Sequence, residues 1–550
     1  MRFHALLSNT TIRRCLGLMA LLALRIVWLR AYPVNSDEAQ HAHIAWSVGQ
    51  GELPYRDVFD NHGPLFSTIY APLMHALGER SDILVWLRLA VVPWYLLALL
   101  GTWFLARRLY SRGVADASVA MVGLAHFFFV KMGEFRTDDL WAALWLCALA
   151  VAVHAGGRIW RWVVVGFLLG AALAVSQKTL LLWSTALLAA GCVWATPWRS
   201  DARRLLRGGL AVAMGAVVVP GVFAVWLAMQ HDFGPAWYDL VTYNLAPTGD
   251  PARAGPKILY AILAVAIAAA TASWLRRARY TEPWTRWRLF LVLQGTLFGS
   301  LIWFAWPLRT AQDYLPVIPT LFVWLTGTLS RSGVLRGPRA VTTVALVVAV
   351  ELVFLVTKAP PWHDTVAPQE AQLRTVLACT THDDTVMDAK SGAIFRQRPY
   401  PTVLEALARR RFAHELATDD IAMSLVERRT MTVIVGGLPP ATKAFVAQNY
   451  LPGTGNVSMA GKMLPGRGHR RAFEIALPGN YTVADGTVEV PVSIDGGPSA
   501  SRWYLSAGTH SLESSSDRRL VSIWSRAWNC GWRPTVTPGV PAAPDTPPDE

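Results

Sequence analysis

Apolar residues arrive in long blocks over the first two-thirds of this chain and then change character. Apolar runs of about 16 to 25 residues recur as far as Thr357, and a helix needs about 20 such residues to cross roughly 30 Å of hydrocarbon. The first run, near Cys15 to Tyr32, has basic flanks and no small-residue cleavage site, so it reads as a retained helix rather than a removed signal peptide. Arg25 and Arg30 within it set its far end against protein or water rather than lipid. Further spans are expected near 82–106, 114–131, 139–156, 162–176, 179–196, 208–230, 258–275, 289–306, 314–330 and 340–357. The fold class that follows is an all-α polytopic membrane domain of about eleven transmembrane helices. The shorter piece Pro64 to Leu77 suits an interfacial helix.

After Lys358 the pattern is that of a water-soluble protein, rich in Pro, Gly, Ser and Thr. A mixed α/β region is expected over 359–471, with strands at Asp384 to Met387 and Met431 to Val435 and a helix over Val403 to Leu416. A small β-rich, sandwich-like module is expected over 472–533, with strands at Phe473–Leu477, Tyr481–Val483, Thr487–Ile494 and Trp503–Leu505. The Pro-rich stretch from Pro534 reads as a disordered tail over 534–550.

Charge sharpens the topology. Only 16% of the 550 residues are charged, against roughly 25% in soluble domains. The net charge of +14 comes from short basic clusters between apolar runs, among them Arg13 and Arg14, Arg107 and Arg108, Arg158 and Arg161, Arg203 and Arg204, Arg276 and Arg277, and Arg331 and Arg336. Basic residues gather on the cytoplasmic side of short loops, and these clusters fall on every second loop. This explains the positive charge without nucleic acid. It predicts a bacterial inner-membrane protein with a cytoplasmic N-terminus. The loops 33–63, 131–138, 231–257 and 307–313 and the C-terminal region then lie outside the cytoplasm. Five cysteines show no C-x-x-C spacing, which excludes a zinc or redox motif of that kind. Cys379 and Cys530 fall in the soluble region, where an oxidising compartment permits a disulfide.

The candidate chemistry sits in the expected outer loops. The first carries Asn35, Ser36, Asp37, Glu38, His41 and His43, then Glu52, Tyr55, Arg56, Asp57, Asp60, Asn61 and His62. Asp37 and His41 have i, i+4 spacing and share one face of a helix. A carboxylate beside an imidazole suits general-base work or a divalent metal. The competing reading is a solvated loop in which Ser36 or Asp37 caps a helix running to Val48. The second loop packs Glu134, Arg136, Asp138 and Asp139 at a membrane boundary, either paired around a polar cavity or capping the next helix. Lys178, at the junction of two spans, either snorkels or meets a phosphate as a point charge.

The run Asp37-Glu38, Pro54-Tyr55-Arg56-Asp57 and His62-Gly63-Pro64-Leu65 resembles the first outer loop of bacterial polyprenyl-phosphate-dependent glycosyltransferases. These belong to the protein O-mannosyltransferase superfamily, which includes the lipid A aminoarabinose transferase and is of glycosyltransferase family 39 type. Arg136-Thr137-Asp138, Lys178, Tyr243-Asn244-Leu245 and Tyr314-Leu315-Pro316 with Pro319 fit the same pattern in order, over about residues 10 to 357. The chain departs from it at His62-Gly63-Pro64, where Lys-Pro-Pro or His-Pro-Pro is common. It departs again at Gln312-Asp313-Tyr314, where a basic residue often precedes the Tyr.

The resemblance implies a GT-C type membrane transferase that moves a sugar from a polyprenyl-phosphate carrier to an extracytoplasmic acceptor hydroxyl on a glycan, lipid or protein. It implies inversion at the anomeric carbon and no nucleotide cofactor. Asp37 becomes the base, Glu38 a loop-orienting or metal-binding residue, and Asp138 a third catalytic residue that holds Arg136 in position or helps bind the acceptor. Arg136, Lys178 and His62 become the cations for the donor phosphate. Tyr55, Arg56, Asp57, Tyr243, Asn244 and Tyr314 are candidates for the acceptor or substrate, and Glu38, His41 and His62 for a divalent metal. In the soluble region, Val492-Ser493-Ile494-Asp495-Gly496 and Leu505-Ser506-Ala507-Gly508-Thr509-His510 resemble surface β-sandwich modules. The rival functional classes are a flippase or transporter of lipid-linked saccharides and a glycan-binding protein. Transporters favour broken helices at the midplane, whereas the polar residues here gather at one surface.

Overall fold

The computed structural model describes residues 10–194, 202–246, 283–306, 309–335, 337–464, 468–514 and 520–535. Two compact units divide the chain: residues 1–78 with 82–367, and residues 79–81 with 368–550.

The first unit is helical. Among its described residues, five helices are long and apolar enough to cross a membrane: Ile83–Leu109, Thr137–Ala155, Leu205–Met229, Trp284–Phe304 and Arg339–Lys358. Helices also occupy the other expected runs, at Thr10–Trp28, Ile159–Val175, Thr179–Trp194 and Ile318–Arg331. The expected span near 258–275 lies outside the described residues. The expected interfacial piece forms the helix Leu65–Leu77.

The run expected over 114–131 is broken into Arg112–Leu124 and His126–Lys131, because Ala125 leaves helical geometry at φ −52°, ψ 116°. A break in an apolar setting exposes backbone groups that must find partners. Here the Tyr95 hydroxyl donates to Gly123 O at 2.6 Å, and the His126 N–H donates to Glu351 Oε2 at 3.0 Å. Elsewhere small residues set how closely helices approach. A Cβ at Gly166 would lie 2.0 Å from Val212 O, and one at Gly215 would lie 2.0 Å from Val163 O. The helices Ile159–Val175 and Ala202–Met229 therefore meet backbone to backbone.

Arg25 is fully buried, its guanidinium over the rings of Tyr95 at 4.5 Å and Phe129 at 4.7 Å, and it donates to Phe129 O. Arg30 pairs with Asp364 at 2.7 Å. Both cations of the first helical run thus face protein.

Among its described residues the second unit has ten strands: β1 Val386–Met387, β2 Thr432–Ile434, β3 Tyr450–Pro452, β4 Val457–Met463, β5 Gly468–Ile475, β6 Gly479–Ala484, β7 Ser493–Ile494, β8 Arg502–Leu505, β9 Gly508–Ser514 and β10 Val521–Trp524. One sheet runs β1-β2-β4-β10-β6-β8 with β3 also on β4, and a second runs β5-β9-β7. Only β1 and β2 pair in parallel within the larger sheet; its other pairs are antiparallel. That sheet takes β1 to β4 from the segment 359–471 and β6, β8 and β10 from the segment 472–533. The two segments expected as separate pieces therefore share one sheet.

The two halves of the sandwich-like motif meet in the smaller sheet. After β7 the chain turns through Asp495 and Gly496, both with positive φ. Asp495 Oδ2 then lies 2.7 Å from His510 Nδ1 on β9. Thr487–Ile494, expected as one strand, pairs as β7 only over its last two residues.

Cys379 and Cys530 form a disulfide with Cα atoms 5.3 Å apart and a separation of 151 positions in sequence. Closing so long a loop removes up to about 5 kcal/mol of unfolded-chain freedom in the chain-entropy account. Reduction is expected to lower the denaturant midpoint for exposing β6 and β10, read by hydrogen exchange on the full chain. An unchanged midpoint would show that the cross-link adds nothing to the fold.

Candidate functional site

The first long polar loop becomes the helix Ser36–Gly49 at Asn35. The Asn35 side chain accepts from the Asp37 N–H at 3.0 Å, and Glu38 Oε1 accepts from the Asn35 N–H at 2.9 Å. This reciprocal cap falls on Asn35, ahead of the expected Ser36 or Asp37. Consecutive side chains on a helix diverge by about 100°, so Asp37 and Glu38 point in different directions.

Glu38 points inward and is fully buried with Arg88. Its Oε1 accepts from Arg88 Nη2 at 2.7 Å; its Oε2 accepts from Arg88 Nε at 2.8 Å and from the Phe135 N–H at 3.1 Å. Arg88 Nη1 donates in turn to Leu29 O at 2.8 Å and Tyr32 O at 3.1 Å, and Nη2 to Pro33 O at 3.1 Å. With the Asn35 N–H, four donors fill the Glu38 carboxylate. This geometry matches loop orientation and leaves no oxygen of Glu38 directed at a metal or an acceptor.

Asp37 points the other way and starts a chain of alternating charges. Its Oδ2 lies 2.5 Å from Arg136 Nη1. Arg136 Nε donates to Asp138 Oδ2 at 3.1 Å. Asp138 Oδ1 lies 3.6 Å from Lys178 Nζ, and Lys178 donates to Asp313. Asp313 Oδ2 closes the chain by accepting from the Thr310 N–H at 2.8 Å. Arg136 is an extended residue leading into the helix Thr137–Ala155, and Asp138 lies in that helix's first turn. Lys178 lies in the short break between Ile159–Val175 and Thr179–Trp194. Burial works against the Lys178 ammonium, but Asp313 and Asp138 outweigh it and hold its pKa above the usual value.

The histidines lie beside this chain. His41 is buried, its ring 4.8 Å from that of His62 in an edge-on contact. Burial, then the neighbouring His62 and Arg136, hold the His41 imidazole well below its ordinary pKa. His62 is positioned by Asp60, whose Oδ1 accepts from the His62 N–H at 2.9 Å. The next residue, Gly63, donates its N–H to Val175 O at 3.1 Å. A Cβ there would lie 2.1 Å from Ala174 O, so the proline common at this position has no room. Among the described residues, no group of three or more His, Cys, Asp and Glu forms a metal-holding cluster. The set Glu38, His41 and His62 does not assemble as one.

A second polar segment braces this loop. Phe233–Trp237, a π-helical turn at Tyr238–Thr242 and Tyr243–Leu245 follow one another without a gap. Phe233, Trp237, Tyr238 and Leu245 are exposed, while Ala236, Asp239 and Tyr243 are buried. Asp239 Oδ2 accepts from the Asp60 N–H at 3.1 Å, and the Tyr243 ring lies 4.8 Å from that of Phe59. Asn244 Nδ2 donates to Asp239 O and Leu240 O, both at 3.2 Å. Tyr55, at φ 75°, donates its hydroxyl to His62 O at 2.9 Å and packs with Leu227 and Ala236. Tyr55, Tyr243 and Asn244, expected as substrate contacts, are thus placed as supports of the loop that carries His62. Arg56 and Asp57 pair with each other at the surface at 3.0 Å. Tyr314 follows Asp313 in a short 3-10 turn.

Asp37, Arg136, Asp138 and Lys178 therefore come together as the motifs suggested. Asp313 joins them, although it was not singled out. Its signal was the acidic residue standing where a basic one is common. Gln312 beside it donates to Glu134 Oε2 at 3.0 Å, which ties the two loops together.

Two predictions follow from this geometry. Arg88→Met leaves the Glu38 charge buried and unpaired, and is expected to cost about 3–5 kcal/mol of unfolding free energy. Arg88→Met with Glu38→Leu should recover most of that loss in the same denaturation measurement; no recovery would show that the pair is not the cause. Burial pushes the Asp239 carboxyl up to about 8. Between its unfolded pKa near 4 and that value the folded segment holds a proton that the unfolded one releases, so its stability falls as pH rises through this window. Hydrogen exchange of 233–245, corrected for intrinsic rates, should show this loss in the wild type and a smaller one in Asp239→Asn, where burial of Asp232 and Asp60 still raises their carboxyl pKa values.

No protein-family model and no curated protein sequence matches this chain. Solved structures do. ArnT from Cupriavidus metallidurans in the apo state aligns with TM-score 0.56 at 15% identity, over 82% of this chain and 98% of that one. The same protein bound to undecaprenyl phosphate aligns with TM-score 0.53 at 15% identity, over 80% and 95%. ArnT is a lipid A aminoarabinose transferase. At this identity the likeness is one of fold: this chain has an ArnT-like fold.

Proposed function

We propose that this protein is a membrane-embedded glycosyltransferase that moves a sugar from a polyprenyl-phosphate carrier to an acceptor hydroxyl outside the cytoplasm. The observation that carries the reading is the chain Asp37–Arg136–Asp138–Lys178–Asp313, which sets a carboxylate beside a buried guanidinium and a partly buried ammonium. A lipid-phosphate donor needs both kinds of charge. One ArnT structure of the same fold holds undecaprenyl phosphate, which supports a donor of that class.

The reaction assigns each group a task. The acceptor oxygen attacks the anomeric carbon on the face opposite the lipid phosphate, and the bond from that carbon to the phosphate oxygen breaks. Asp37 takes the hydroxyl proton. Arg136 and Lys178 stabilise the charge that collects on the departing phosphate. Asp138 lies against both cations and fixes their spacing. His62, on the braced loop beside them, supplies a further polar contact to the phosphate. No step is routed through a metal.

The basic clusters on alternate loops support eleven crossings with a cytoplasmic N-terminus. The Cys379–Cys530 disulfide supports an oxidising, extracytoplasmic setting for the second unit.

The test is turnover of a panel of polyprenyl-phosphate sugars by the purified full chain in nanodiscs. Asp37→Asn is expected to slow transfer by about 10²–10⁴-fold, the usual range for losing a positioned base. Wild-type turnover retained in Asp37→Asn would remove Asp37 from the chemistry. Lipid-linked saccharide bound but never consumed by the wild type would favour a transporter or binding protein.

A further inference from the structure

The cations of the proposed donor site are already occupied. Arg136 and Lys178 bring two positive charges, and Asp37, Asp138 and Asp313 bring three negative ones. An incoming phosphate meets a site of net negative charge, and that charge is neutralised when one carboxylate yields its place. The three are not equally held. Asp138 touches both cations and its side chain is 3% exposed. Asp313 is fully buried between Lys178 and the Thr310 N–H. Asp37 stands at the end of the chain with its side chain 25% exposed, so water can solvate it once it moves.

We propose that the lipid phosphate displaces Asp37 from Arg136, and that this exchange frees the base only when the donor is seated. The inference rests on the transferase reading given above. Arg136 offers planar N–H donors that fit a phosphate as well as a carboxylate, so one anion can replace the other on the same nitrogen. While Asp37 lies 2.5 Å from Arg136 Nη1, its carboxylate is held on the cation and away from an acceptor hydroxyl. Once a phosphate oxygen takes that nitrogen, the carboxylate is released to meet the acceptor. The empty enzyme thus keeps its base masked, and the donor unmasks it. Each exchange conserves charge: one carboxylate leaves Arg136 and one phosphate oxygen arrives, with no covalent change.

Binding separates this from a base that simply stands by. If the wild-type site is open to phosphate only a minor fraction of the time, apparent affinity is reduced by that fraction. Asp37→Asn removes the competing charge. It is expected to bind undecaprenyl phosphate roughly tenfold more tightly than wild type in nanodiscs, while its turnover is lost. Asp37→Ser should show the same gain, which guards against a single variant that folds poorly. Either gain should vanish when Arg136→Gln is added. Wild-type binding with equal or weaker binding by both Asp37 variants, at unchanged thermal stability, overturns the displacement and leaves the transferase reading standing. Failure of wild type and variants alike to bind undecaprenyl phosphate overturns that reading, and this inference with it.

Discussion

A guanidinium and a carboxylate buried together, Arg88 with Glu38, form the interaction on which the site depends. An ion pair out of water is stable only when geometry and further hydrogen bonds satisfy both partners, and here they do. Arg88 gathers the carbonyls of Leu29, Tyr32 and Pro33, where the first helical run ends. Glu38 gathers the N–H groups of Asn35 and Phe135, from two different loops. One pair thus fixes the end of a helix, the start of the next and the approach of the second loop. Asp37 and Arg136, each one residue from an anchored group, inherit their positions from it.

The charge chain built on that anchor is unusual in being acidic on balance while facing a proposed anionic ligand. Buried carboxylates hold the two cations in place in the empty protein, where unpaired charges would be costly. The same carboxylates limit how strongly those cations attract phosphate. Preorganisation and affinity therefore pull against each other here, and the partly exposed Asp37 is where the conflict is resolved.

The long elements were legible because a bilayer imposes a single requirement on length and polarity, which five helices meet among the described residues. The ordered motifs located Asp37, Arg136, Asp138 and Lys178 for a related reason: each sits at a helix end beside an apolar run. Glu38 was harder to read. Two adjacent acids look alike in a sequence, and only the cap at Asn35 decides which one turns inward. Tyr55, Tyr243 and Asn244 looked like ligand contacts because polar and aromatic groups in a loop serve binding and bracing equally well. Asp313 lies in a four-residue turn with no periodicity to mark it. The larger sheet was hidden for another reason. Strands of two to four residues such as β1, β2, β3, β8 and β10 carry little pattern, and their pairing is set by partners distant in sequence.

That sheet has an awkward order of manufacture. β10, the last of the described strands in chain order, lies between β4 and β6, and Cys530 follows it by only a few residues. Domains generally begin to fold as the chain emerges, yet here everything from Cys379 onward waits for its central strand and its cross-link. During that interval the edges of β4 and β6 that will receive β10 are bare, and bare strand edges invite foreign pairing. The unit is most exposed to error in the interval before β10 and Cys530 arrive, so it needs shelter until its central strand is in place.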